Sequence, residues 1–109
     1  MTNLKLVITS SKGEPAMQNF KSVEFVNGKV KETSNRREIL LEDLINKSLL
    51  DNDDREISSN EVLTRYKLFR KLQGNNEIEF NQEEKDLIIK LVCAKYEILF
   101  AGQVVEALS

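Results

Sequence analysis

The chain has 109 residues, 40% of them hydrophobic, 31% charged and 6% aromatic, with a net charge of −2. That is the make-up of one ordinary globular domain, too short for the barrels and doubly wound sheets of most cofactor enzymes, which need upward of about 150 residues. It has no histidine and a single cysteine, which removes His-based triads, an internal disulfide and the usual structural zinc site.

Taken in order, Leu4-Lys5-Leu6-Val7-Ile8-Thr9 is rich in aliphatic and β-branched residues and is followed by turn chemistry at 10–15, so a first strand is expected at 4–9. Asn27-Gly28 then sits between two short apolar runs, the dipeptide that best tolerates the positive φ angles of a type I′ turn. A hairpin over 22–32 is expected, with Val23, Phe25 and Val30 turned to the core. A lone hairpin is marginal, so pairing with the first strand is the economical way to stabilise it.

From Asn35 the period changes from two to about 3.6. Asn35 and Glu38 have capping spacing, and Leu41, Leu44, Ile45, Ser48 and Leu49 share a face, predicting a helix over 36–50. Ser58 and Glu61 open a second helix, with Val62, Leu63, Tyr66, Phe69 and Leu72 expected inward and Gly74-Asn75-Asn76 closing it. Asn81 and Glu84 open a third, whose Leu87, Ile88, Leu91, Val92, Cys93, Tyr96, Ile98 and Leu99 cover more than one face. Gly102 is expected to bend or end it before a short terminal helix.

The fold class is therefore α+β: a strand and hairpin, β-rich over 1–33, packed on three to four helices over 35–109 in one domain. No span crosses a membrane, because Lys90, Lys95, Glu97 and Glu106 interrupt the apolar stretch 86–108. With no apolar leader at the N-terminus, the cytoplasm is the expected location.

Few residues suggest chemistry. The acidic run 51–57 fails as an EF-hand, since Arg55 and Glu56 stand at positions five and six and Val62 at twelve; a weak divalent site there stays open. Ser10-Ser11-Lys12-Gly13 lacks the glycines of a phosphate loop. Cys93 lies in the most apolar segment and is expected to be buried and inert. The charge is uneven, +2 over residues 1–50 and −4 over 51–109. Arg65, Lys67, Arg70 and Lys71 form the best candidate face for nucleic acid, although a low net charge opposes strong phosphate binding.

Residues Gln82 to Val92, continuing through Ala94-Lys95-Tyr96 to Ala101-Gly102-Gln103-Val104-Val105-Glu106-Ala107-Leu108, resemble the C-terminal half of small, functionally unassigned proteins of bacteriophages and prophages. The resemblance spans 82–108 and implies a small intracellular accessory or interaction protein; it carries over no functional residue. The first functional expectation is thus a non-enzymatic protein-interaction domain without cofactor, an assembly or host-modulating factor. A homodimer through Ile89, Phe100, Val104, Val105 and Leu108 is expected, because a domain this small has limited interior in which to hide so wide an apolar set. The alternative at this stage is a nucleic-acid-linked regulator using the basic face.

Overall fold

A computed structural model describes residues 1–51 and 57–109. The elements run β1 (Thr2–Asn3), β2 (Met17–Val26), β3 (Lys29–Glu38), α1 (Leu41–Leu49), α2 (Ser59–Leu72), β4 (Glu77–Ile78), α3 (Gln82–Lys95) and α4 (Ile98–Leu108). The α+β class stands: four helices accompany two small antiparallel sheets among the described residues, β1 with β4 and β2 with β3.

The helices form around α1, which packs against α2, α3 and α4. Its sequence explains this central place: Leu41, Leu44, Ile45, Ser48 and Leu49 are all buried, a stripe at helical spacing. Ile88 and Val92 of α3, Leu68 and Leu72 of α2, and Ala101, Val104 and Leu108 of α4 complete the core with Leu4 and Ile8. Side-chain caps open two helices as their sequences predict. Ser58 Oγ accepts from the Glu61 amide at 3.2 Å, and Asn81 and Glu84 accept from each other's amides at 2.8 and 3.0 Å. Gly74, at φ 77°, closes α2 in the left-handed region that glycine enters freely.

The hairpin turn is also as expected, with Asn27 at φ 53° and Gly28 at φ 74°. Its strands, however, are ten residues each, in a ladder from Met17↔Glu38 to Val26↔Lys29. Asn35 and Glu38 belong to β3, so the helix predicted from 36 begins only at Leu41. Their capping spacing is coincidental, because the apolar periodicity that stabilises a helix starts at Leu41. Asp43 takes the capping part there, accepting from the Leu40 amide at 2.8 Å.

The expected strand 4–9 is not continuous: β1 pairs with β4, and beyond it only isolated bridges join Val7 to Leu40 and Thr9 to Pro15. The hairpin is held at its base instead. Ile8 N donates to Ile39 O, Ile39 N to Ala16 O and Ala16 N to Ile8 O, at 2.8, 2.9 and 2.8 Å, a closed ring of backbone bonds among three buried residues. Gly102 does not end a helix; it lies inside α4, and the chain breaks at Tyr96 and Glu97.

Candidate protein-interaction surface

Beyond its clamped base the hairpin is an arm. Ten residues of strand span about 33 Å, and every residue of β3 is exposed except the half-buried Thr33. Alternation along the ladder places Val23, Phe25 and Val30 on one face near the turn, Phe25 directly opposite Val30. These were expected to face the core, but they are 58%, 79% and 62% exposed. A two-period pattern marks one face as apolar without saying what covers it; here the helices pack on each other and leave the far end of the arm uncovered.

The opposite face of the arm's base is fixed to α1. Arg37 makes a two-pronged ion pair with Asp43, 2.9 Å on each prong, and donates to the Glu38 carbonyl at 3.0 Å. Its guanidinium lies 3.6 Å from the centre of the Phe20 ring, a cation–π contact. The bond to Asp43 raises the Arg37 pKa further, so the guanidinium stays charged. A cavity of about 290 Å³ opens beside this anchor, lined by Phe20, Lys21, Leu44, Asn46, Leu50 and Tyr96 among others. Burial, helped by the charges of Asp51 and Asp43, pushes the Tyr96 hydroxyl up to about 12. Tyr96 Oη and Asn46 Oδ1 are buried without a hydrogen-bond partner among the described residues.

A second, more apolar cleft of about 340 Å³ lies where α1 ends against α2. Leu50, Val62 and Tyr66 line it at 57%, 53% and 52% exposure, with Ile57 and Arg65. Val62, Leu63 and Tyr66 were expected inward; α2 instead buries Leu68 and Leu72, and only its C-terminal half meets the core. The helical stripe along α2 is present, and its first two turns leave Val62, Leu63 and Tyr66 exposed.

The C-terminal residues expected to join two copies are largely consumed within the chain. Val104 and Leu108 are buried at 0% and 2% exposure, while Ile89, Phe100 and Val105 are half-buried. The terminal helix folds back and α3 packs on it, so the interior of one copy accommodates much of the apolar set. Cys93, expected in the core, is exposed. Neighbouring Val92 takes the inward position, and a one-residue step turns a helical side chain by about 100°.

The basic face of α2 is dispersed by pairing. Arg65 bonds Glu61 at 3.1 Å, and Lys71 bonds both Glu84 oxygens at 2.9 and 3.1 Å and the Glu79 carbonyl at 3.1 Å. Lys67 and Arg70 remain exposed without an ion pair among the described residues. The acidic run's residues 52–56 lie outside the described residues. Among those described, no cluster of potential metal ligands occurs, and no helix is long and apolar enough to cross a membrane. Comparison with protein-family models, characterised proteins and solved structures finds no match.

Proposed function

We propose that this chain is a protein-interaction module that works by binding and not by catalysis, with the β2–β3 arm as its contact element. The observation that carries this reading is the apolar end of the arm: Val23, Phe25 and Val30 stand in solvent on one face of a ribbon whose base is tied to α1. Exposed aliphatic and aromatic side chains gathered at a projecting tip lose free energy to water and recover it when a partner covers them. The anchoring matters as much as the tip. Arg37, Asp43 and the ring at Ile8, Ala16 and Ile39 fix the base of the ribbon, which reduces the freedom left to lose on binding. An accessory role, in assembly or in modulating a host, fits the resemblance over 82–108.

A photo-crosslinking residue at position 25, in lysate of the source cells, tests this. Discrete protein adducts are expected from position 25 and not from the exposed turn residue Lys12. Equal labelling from both positions, or none from position 25, overturns the reading. Replacing 19–36 by a two-residue turn should abolish the adducts and leave the helical signal of the body in place.

A further inference from the structure

We propose that the cavity at the base of the arm is a binding site for a small aromatic acid bearing a hydroxyl group at the end away from its carboxylate. Its walls come from β2, from α1 with the following Leu50, and from Tyr96 at the break between α3 and α4. At about 290 Å³ it exceeds by far the share of one water, about 30 Å³, and stands at the small end of ligand pockets.

The first observation is a pair of orphan polar atoms. Tyr96 Oη and Asn46 Oδ1 are both buried without a hydrogen-bond partner among the described residues, and both side chains line this one cavity. Buried polar groups are paired as a rule, because an unmade bond costs the full desolvation of the group. A single hydroxyl satisfies both, accepting from Tyr96 and donating to Asn46. Burial keeps the Tyr96 proton in place for that bond.

The second observation is charge. Lys21 and Lys47 line the same cavity, both exposed and both without an ion pair among the described residues. Asp43, the acid on that wall, is already held by Arg37 on two prongs of 2.9 Å. An anionic group at this open rim meets two cations while water still reaches it, which spares it the cost of burial. The charges of Asp51 and Asp43 act on the Tyr96 hydroxyl, so the carboxylate is turned away from the interior and the neutral hydroxyl toward it. Between the two ends, Leu44, Leu50 and the rings of Phe20 and Tyr96 offer an apolar wall, against which a flat aromatic body packs well. The tip at Phe25 lies outside the cavity, so the inference is independent of what the arm binds.

Titration of the isotope-labelled chain with para-hydroxybenzoate, followed by amide chemical shifts, tests the inference. Shifts should saturate at millimolar probe and centre on 18–21, 43–50 and Tyr96. Benzoate, lacking the hydroxyl, should bind about tenfold more weakly, the effect of one good hydrogen bond to a buried partner. Phenol, lacking the carboxylate, should bind several-fold more weakly, because attraction to exposed lysines is screened. The preference over benzoate should shrink in Tyr96→Phe and vanish when Asn46→Leu is added; the preference over phenol should vanish in Lys21→Gln with Lys47→Gln. Should the Asn46 variant fail to fold, Tyr96→Phe alone decides the hydroxyl contact. Absence of saturable shifts overturns the inference by showing that water meets both orphan groups. Saturation elsewhere on the chain, equal affinity for benzoate or for phenol, or a preference that survives these substitutions overturns it as well.

Discussion

The side chain of Gln103 occupies the place of a missing β-strand beside Thr9. Its Oε1 accepts from the Thr9 amide at 2.8 Å and from the Thr9 hydroxyl at 3.1 Å, while its Nε2 donates to the Thr9 carbonyl at 2.9 Å and to the Leu99 carbonyl at 3.0 Å. One amide thus satisfies both backbone groups of a residue 94 positions away in sequence and ties α4 to the N-terminal segment. Gln103→Ala leaves those groups partly buried and unpaired, and should lower stability by about 1–3 kcal/mol. Urea titration checks this as a lower midpoint with an unchanged slope. Gln103→Glu keeps the acceptor but sets a carboxylate against two carbonyl oxygens, so it should cost at least as much.

Gly28 lies at φ 74° with nothing within 4 Å of where a Cβ would stand, so substitution there meets backbone strain and no clash. Gly28→Val should destabilise the arm by about 1–2 kcal/mol, β-branching making the left-handed region worse. The turn is far from the buried ring at Ile8, Ala16 and Ile39, so the body should be spared. Amide exchange should accelerate over 19–36 while the main thermal transition moves little. Equal loss of protection in α1 and α3 would contradict an arm that is energetically separate from the body.

Cys93 is exposed on α3. A thiol reagent should label the native protein to completion without denaturant. Protection until unfolding would return Cys93 to the core and require α3 to be rotated about its axis.

What was legible in the sequence divides along a physical line. The Ser58 and Asn81 caps, the Asn27-Gly28 turn and the Gly74 stop are local, fixed by a few residues' own hydrogen bonds and φ preferences, and they lie where the sequence places them. Burial is not local. Val23 and Phe25 alternate like core residues, Tyr66 falls on the apolar stripe of α2, and Cys93 sits among aliphatics, yet all three regions stay open because coverage depends on how distant elements pack. The length of the arm was hidden for a related reason. Beyond Val30, Lys31 to Glu38 is polar on both faces, so it shows no period of two, and the capping spacing of Asn35 and Glu38 suggested a helix in its place. Of the candidate surface, the apolar residues were visible and their exposure was not.

Val104 is fully buried between α4 and its neighbours, whereas adjacent Val105 is half-buried. Val104→Asp places an unpaired carboxylate in the core, and a cost of several kcal/mol is a large share of a small domain's stability of about 5–15 kcal/mol. The variant should be largely unfolded by circular dichroism at 25 °C. Val105→Asp should remain folded with a modestly lowered melting temperature, since its side chain reaches water.

Tyr96 makes stability depend on alkaline pH. Burial pushes its hydroxyl up to about 12 in the folded chain, against about 10 for an unfolded tyrosine. Below the unfolded value both states keep the proton and pH has no effect through this group. Between the two values the unfolded chain releases a proton that the folded chain retains, so unfolding is favoured and stability falls as pH rises through that window. Melting temperature should therefore decline more steeply in the wild type than in Tyr96→Phe over this range, the lysines contributing equally to both. Tyr66→Phe leaves Tyr96 as the single tyrosine, and tyrosinate absorbance in that variant should show a midpoint displaced well above the unfolded value. A midpoint near 10, the unperturbed value, would mean that the Tyr96 hydroxyl reaches solvent through the cavity at the arm's base.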